Sequence, residues 1–414
     1  MNQKIIIFKV PEFPHLSETF IVAQIVTAIK LGYEIKILVR RRLSDTLALD
    51  NSLIKQYQLL DKIIIEDYKI PKNKYIRIYN WIKLLILNLR NLKYILKFYK
   101  EYSQFSLTYL YQWHFYKQFN SASIIHVQYG SNKHPFDLLK KTAYFKPKLI
   151  VTFHGHDAVF PINGFIPNDG YYDNLFKYAD LITSNTPYLA NKILALGCPK
   201  EKMEIIPVGV DTDFFYNKKI QNYNNDDIKL ISVGRLSVVK GHINALKVVK
   251  KLKEHNYNII LTIVGEGSER TNLENYINAN NLENSIRLVG AKSQEKVRDL
   301  LWENDIFIFP SVSMHFGYSA ETQGLATIEA ESCGLPVVAF DSGGVKYTFE
   351  DGFSGFLCKE YDIECMFNKL KLLIDNRKLL LEMGTNATNF VNSKYSQKII
   401  DNKWKKIYHK LNDE

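Results

Sequence analysis

Nowhere does the chain offer a run of about 18 uncharged apolar residues, so no segment reads as a transmembrane helix. The opening MNQKIIIFKV carries an apolar run too short for a signal peptide and reads as a first β-strand. Cysteine is sparse. Cys198, Cys333, Cys358 and Cys365 stand in no C-x-x-C spacing, which leaves reduced, buried thiols of a cytosolic protein as the expectation. His126, His134, His156 and His242 fall in no H-E-x-x-H or other metal spacing. No repeat of 20–50 residues recurs, which excludes a solenoid. Acidic residues are missing from one stretch altogether. Residues 69–100 hold nine Lys+Arg and no Asp or Glu.

That gap locates the charge. The net charge is +11 over 414 residues, and residues 1–120 alone hold 19 Lys+Arg against 9 Asp+Glu. A positive field confined to one part of the chain suits a polyanionic partner: a membrane surface, a nucleic acid or a phosphorylated substrate. No recognisable nucleic-acid module accompanies it, so no nucleic-acid partner is expected. At a helical 100° per residue, Lys83, Arg90, Lys93, Lys97 and Lys100 fall on one arc. Trp81, Leu85, Leu89, Leu92, Leu96 and Tyr99 fall opposite. One long helix with that layout either lies on an anionic bilayer or packs on its domain with a solvated basic edge.

Outside that stretch the chain alternates. KIIIFKV (4–10), a helical pattern over 17–33 with Ser17 as N-cap and Gly32 as stop, and EIKILVR (34–40) make a β-α-β unit. The rhythm resumes at 123–130 and 148–157 and runs to 203–211. A polar, Asn-rich stretch around 214–227 has linker composition. A second series follows, with strands at 228–236, 258–267, 285–291, 305–312 and 335–341 and a last amphipathic helix at 396–411. Two doubly wound α/β domains in tandem are expected, with chemistry in the turns just after the strands.

Two of those turns are rich in candidates. SVGRLSVVKG sets Arg235 and Lys240, with glycines, between a strand and a helix, which suits a diphosphate or an ordinary solvated turn. AETQGLATIEA sets Glu321 before a helix beginning near Gly324 and Glu329 about two turns along it. The carboxylates could accept paired hydroxyls from a sugar and a ribose. Equally, Glu321 could cap the helix and Glu329 face solvent.

With VGEGSER, AETQGLATIEAESCGLPVVAFDSGG and EDGFSGFL in this order, the chain resembles the retaining GT-B glycosyltransferases called family 4. The resemblance runs from about residue 120 to the C-terminus, and more weakly over 1–40. VPEFPHLSETFIVAQI and AETQGLATIEA resemble its bacterial capsular and exopolysaccharide branch. The resemblance implies two Rossmann-like domains facing a cleft. Residues 1–212 would bind the acceptor and carry a basic helical insertion at 69–119. A linker at 213–227 would lead to a nucleotide-sugar domain at 228–394, and 395–414 would return to the first domain.

The same resemblance implies the site. Glu321 would hold donor-sugar hydroxyls and Glu329 the ribose. Arg235 and Lys240, beside Gly234, would hold the diphosphate, with amides of Gly324, Leu325 and Ala326 on the phosphates. The base would dock by Gly265, Glu266 and Val289. His154 would contact the donor sugar and Asp157 would follow it on the acceptor side. The loop FPHLSET lacks the family's glycines, so Ser17, Glu18 and Thr19 would supply its contacts. Gln323 replaces an aromatic common in the family. No metal and no cofactor are implied: the D-x-D of Asp211 and Asp213 sits in what resembles the family's interdomain segment. His126 reads as a core or strand-end residue, while His156 stays open between the cleft and support behind it.

The implied reaction is metal-independent transfer of a hexosyl group, with retention, from a UDP- or GDP-hexose to a saccharide acceptor on a lipid carrier. The implied place is the cytoplasm, peripherally on the inner face of the plasma membrane. Two rival readings remain: an epimerase or phosphorylase on the same fold, and a non-catalytic sugar-nucleotide-binding scaffold.

Overall fold

The IIIFKV run is apolar on both faces but for the buried Lys9, because both of its edges and both of its faces are covered. In the computed structural model, which describes residues 4–15, 18–44, 52–162, 164–218, 228–314 and 320–413, it forms strand β1 (Ile5–Phe13). A parallel strand lies on each side of it, β2 (Glu34–Arg42) and β4 (Ile124–Gln128). Unbroken apolar runs are the signature of such central parallel strands. The sheet is completed by β3 (Ile63–Ile65), β5 (Lys148–Thr152), β6 (Leu181–Ser184) and β7 (Met203–Ile205), in the order β3-β2-β1-β4-β5-β6-β7. The second series gives six parallel strands: β8 (Ile228–Val233), β9 (Ile259–Val264), β10 (Ile286–Leu288), β11 (Ile306–Phe309), β12 (Val337–Phe340) and β13 (Gly355–Cys358). Their order is β10-β9-β8-β11-β12-β13. Both sheets are doubly wound, as the alternation of strands and helices implies.

The chain divides into two units. The first runs to Ser184 and adds Ala190–Ile205 and the residues from Asp401 on. The second is Asn185–Leu189 with Ile206–Ile400. The division at Ile205 therefore precedes the expected linker at 213–227. Phe215, within that stretch, is buried in the second unit's core, and residues 219–227 lie outside the described residues.

The last helix, Gln397–Asp413, is bound to the first unit by a buried histidine. His126, on β4, lies within hydrogen-bond distance of Tyr408 Oη (3.0 Å, from Nδ1) and Thr152 Oγ1 (2.8 Å, from Nε2). Its ring also packs against Trp404, with centroids 5.1 Å apart. Thr27 Oγ1 donates to Asp401 Oδ1 at 2.6 Å, and Asn412 Nδ2 donates to the Tyr33 hydroxyl at 2.8 Å. His126 is thus a core residue.

Burial, with His154 nearby, pushes the His126 imidazole down to about 3. Its ordinary value is near 6.5, so below that pH the unfolded chain binds a proton that the folded chain refuses. Its contribution is complete above about pH 6.5 and is lost as pH falls toward 3. Between pH 7.5 and 5.5 the wild type should therefore lose about 1.4 kcal/mol more stability than His126→Gln. Denaturant titrations of both proteins at the two pH values measure this, and equal losses would contradict it.

Three local expectations are corrected. Residues 69–100 do not form one helix. Lys74–Leu87 ends at Asn88, a 3-10 turn covers Leu89–Asn91, and Leu92–Tyr99 starts anew. The break is anchored: Asn88 is buried, its Nδ2 donates to Leu84 O at 2.7 Å and its Oδ1 accepts from Lys117 Nζ at 2.9 Å. The single basic arc drawn through both pieces does not exist. For the first helix, the expected N-cap Ser17 lies outside the described residues. Thr19–Lys30 has Glu18 at its N-cap with no side-chain cap bond. Finally, Cys358 and Cys365 are not thiols but a disulfide joining the end of β13 to the helix Ile363–Asp375, whereas Cys198 and Cys333 are buried and outside any disulfide.

Candidate active site

In the second unit the candidates gather where β8, β9 and β10 end. Gly234 and Arg235 follow β8, a 3-10 turn spans Val238–Lys240, and the helix His242–Glu254 departs. Arg235 is exposed. Lys240 is mostly covered: its ammonium pairs with the Glu321 carboxylate and sits 5.2 Å from the Phe309 ring centroid. Neighbouring turns are knitted to this one by backbone bonds. Gly234 N–H donates to Val264 O at 3.0 Å, Leu236 N–H to Glu266 O at 2.9 Å, and Gly265 N–H to Gly290 O at 3.0 Å. Gly265, Glu266, Val289 and Gly290 thus sit beside the Arg235 turn. Glu266 is exposed and its Oε1 accepts from Arg270 Nη1 at 2.7 Å.

Glu321 is held from behind. Gly344 N–H donates to Glu321 O at 2.7 Å, and Thr186 Oγ1 donates to Thr322 O at 2.7 Å. A Cβ on Gly344 would stand 1.9 Å from Thr322 O, and one on Gly343 2.3 Å from Glu321 O. The two glycines after β12 therefore admit the Glu321 segment, a role the sequence reading did not give them. Gln323 adds a two-way clamp, accepting Val208 N–H and donating to Val208 O, each at 2.9 Å. An aromatic ring could make neither bond, which gives the departure at this position a physical reason.

Gly324, at φ 87°, turns the chain into the helix Leu325–Ser332. The N–H groups of Leu325 and Ala326 open that helix and so lack intrahelical acceptors. Glu329 lies along it, half-buried, and burial pushes its carboxyl up to about 7. Lys240, Glu321 and this helix start are brought together. Neither Glu321 as a helix cap nor Glu329 as a fully solvated residue survives.

Asp211 Oδ1 accepts the N–H groups of Asp213 (3.0 Å) and Phe214 (3.2 Å), an Asx turn that shapes the chain locally. No group of three or more His, Cys, Asp or Glu fit to hold a metal occurs among the described residues.

The first unit gathers its own candidates at the ends of β4 and β5. His154 Nε2 lies 2.8 Å from Gln128 Oε1, and Gln128 Nε2 donates to Gln24 Oε1 at 2.8 Å. That chain makes Nε2 the protonated nitrogen of His154. Phe20 and Tyr129 pack on the ring, with centroids at 4.8 and 4.6 Å. Burial, assisted by His156, pushes the imidazole down to about 3, so it is neutral at physiological pH. His156 itself is exposed, 5.0 Å from the Tyr129 ring.

Asp157, expected on the acceptor side, turns inward. It is fully buried and accepts N–H bonds from Gly130 (2.7 Å), Gly155 (2.8 Å) and His154 (3.1 Å). It shapes the loop that presents His154. Glu18 and Thr19 are half-buried at the helix start. The residue missed here is Tyr129, at φ 71°, whose hydroxyl donates to Glu18 Oε1 at 2.6 Å. Its backbone conformation has no signature in the sequence.

Two family models cover these elements. One for Glycosyltransferase Family 4 matches residues 86–214, and one for glycosyl transferases group 1 matches 213–390, well over half of the chain between them. The chain belongs to the family 4, group 1 glycosyltransferases. Among its relatives, the amylovoran biosynthesis glycosyltransferase AmsK of Erwinia amylovora is 28% identical over 291 residues, 70% of this chain and 71% of AmsK. Of solved structures, a glycosyltransferase from Rickettsia africae superposes with a TM-score of 0.72 at 20% identity, covering 99% of each chain. Anabaena HepE in complex with UDP also reaches 0.72, at 14% identity over 99% of this chain and 100% of that one. The fold of this glycosyltransferase is accordingly GT-B, and no helix among its described residues is long and apolar enough to cross a membrane.

Proposed function

We propose that this glycosyltransferase transfers a hexosyl group from a UDP- or GDP-hexose to a saccharide on a lipid carrier, with retention, in assembly of a bacterial surface polysaccharide. The observation that carries the reading is the Lys240–Glu321 pair beside the exposed Arg235 and the start of the helix at Leu325. Cations and helix-start amides suit a diphosphate, and a carboxylate beside them suits sugar hydroxyls. The AmsK relationship and the UDP in HepE support the polysaccharide setting and the donor class.

The chemistry then needs no protein base. The bond from the anomeric carbon to the diphosphate breaks as the acceptor oxygen bonds to the same face of that carbon. The acceptor proton passes to the departing phosphate oxygen. Arg235, Lys240 and the amides of Leu325 and Ala326 neutralise the charge that builds on the diphosphate, with Gly324 turning the chain toward it. Glu329 binds the ribose, and Gly265, Glu266 and Val289 flank the base. Neutral His154 contacts the reacting sugar, and Glu18 and Thr19 serve the acceptor. Charge neutralisation by cations makes a metal ion and a cofactor unnecessary. A place at the inner face of the cytoplasmic membrane follows from a lipid-linked acceptor, and the basic insertion would contact the anionic surface there.

Transfer from each nucleotide hexose should persist in excess chelator, and NMR of the product should show the donor's anomeric configuration. Loss with EDTA and rescue by Mn²⁺, or inversion, would overturn the mechanism. Dependence on inorganic phosphate would indicate a phosphorylase. Nucleotide binding with no turnover would indicate a scaffold. A thermal-shift series ranks UDP against GDP, since a ligand at 100 times its Kd stabilises by about 2.7 kcal/mol.

A further inference from the structure

The helical insertion carries an apolar groove for which sugar transfer alone has no use. The break at Asn88 folds Leu92–Tyr99 back beside Lys74–Leu87, and Trp81 Nε1 donates to the Tyr99 hydroxyl at 3.1 Å across the gap. The groove has a volume of about 700 Å³ and is walled by Trp81, Leu85, Leu92, Leu96, Tyr99 and Phe105. Leu96 is 54% exposed and Phe105 70% exposed, and the helix Lys74–Leu87 has no buried residue. Apolar surface exposed on this scale marks a binding face.

The polar side of the groove has one sign. Lys93, Lys97 and Lys100 line it, residues 69–100 contain no acid, and the acid that follows, Glu101, is held by Lys141 at 2.6 Å. A chain of hydrocarbon with an anionic end matches that combination. A second copy of this face would set lysines against lysines, which like charge opposes. A flat bilayer would need cations and apolar side chains but no concavity.

We propose that this groove binds the hydrocarbon chain of a lipid phosphate, the anchor of the lipid-linked acceptor, with the phosphate on Lys93, Lys97 and Lys100. The proposal rests on the lipid-linked reading of the acceptor given above. It deepens that reading by placing the anchor on this chain and not only in the bilayer.

Tryptophan fluorescence of the full chain, titrated with farnesyl phosphate below its micelle concentration, tests it. A saturable change is expected, with at least tenfold weaker binding for farnesol and none for inorganic phosphate. Leu96→Glu, at an exposed position that folding does not need, should weaken farnesyl phosphate binding at least tenfold. Lys93→Gln/Lys97→Gln/Lys100→Gln should bring farnesyl phosphate down to the level of farnesol. Inorganic phosphate binding as well as farnesyl phosphate would reduce the site to an anion patch and overturn the proposal. So would full binding by Leu96→Glu, or a dimer in sedimentation that Leu96→Glu abolishes. Donor turnover by the wild type keeps the two readings apart. Turnover without farnesyl phosphate binding removes only the groove, and binding without turnover removes only the transferase reading.

Discussion

Lys240→Ala should lower turnover by about 30- to 1,000-fold, a loss of roughly 2–4 kcal/mol of transition-state stabilisation. Two effects add. The departing diphosphate loses its covered cation, and Glu321, paired with that cation in the free protein, keeps a carboxylate with nothing opposite it. That bare charge faces the anionic donor. Arg235→Ala should lose a similar factor through the first effect alone, because Arg235 is exposed and pairs with no carboxylate among the described residues. Both variants should fold: the Arg235 turn is fixed by the backbone bonds of Gly234 and Leu236, not by either cation. Steady-state kinetics with the preferred nucleotide hexose, beside melting curves, separate the two effects. Near-wild-type turnover in both variants would place the diphosphate elsewhere.

Ending the chain at Ile400 should abolish folding of the first unit while the second still melts cooperatively. The missing segment supplies Trp404, Tyr408 and Leu411, which are 4%, 0% and 7% exposed, and Tyr408 is the Nδ1 partner of His126. Removing one large buried aromatic costs about 3–5 kcal/mol, and a domain's whole stability is about 5–15 kcal/mol. Trp404→Ala alone should therefore lower the first unit's transition markedly without unfolding it. Chemical denaturation followed by hydrogen exchange on β1 and β4 resolves that unit from the other. An unchanged melt and unchanged activity for the shortened chain would remove the helix from the first unit's core.

The central strands were legible because burial on both faces writes them as unbroken apolar runs. Of the four edge strands, β7 and β10 were legible and β3 and β13 were not. β3 is three residues long and β13 four, too short for a period to declare itself beside the Gly-rich and basic text around them. The break at Asn88 was invisible for another reason: the residue is polar and helix-tolerant, and only its partner Lys117, far along the chain, shows it buried. In the site, Lys240, Glu321 and the helix after Gly324 could be placed together from motif order. Asp157 could not be placed, because an aspartate that collects three backbone N–H groups and one that meets a substrate read alike in sequence. Tyr129 was missed in the same way, and Gln323 was noted without its clamp on Val208, since each works through a distant backbone or carboxylate.

The route of the chain also sets a timetable. On the ribosome, the strands from Ile5 to Ile205 emerge first, but the helix that covers His126 and meets Tyr33 emerges about two hundred residues later. At about 5–20 residues per second, that face of the first sheet stays open for some 10–40 s of synthesis. The nascent chain carries a bare apolar surface through the whole translation of the second unit, which makes it a client for any chaperone waiting at the exit tunnel.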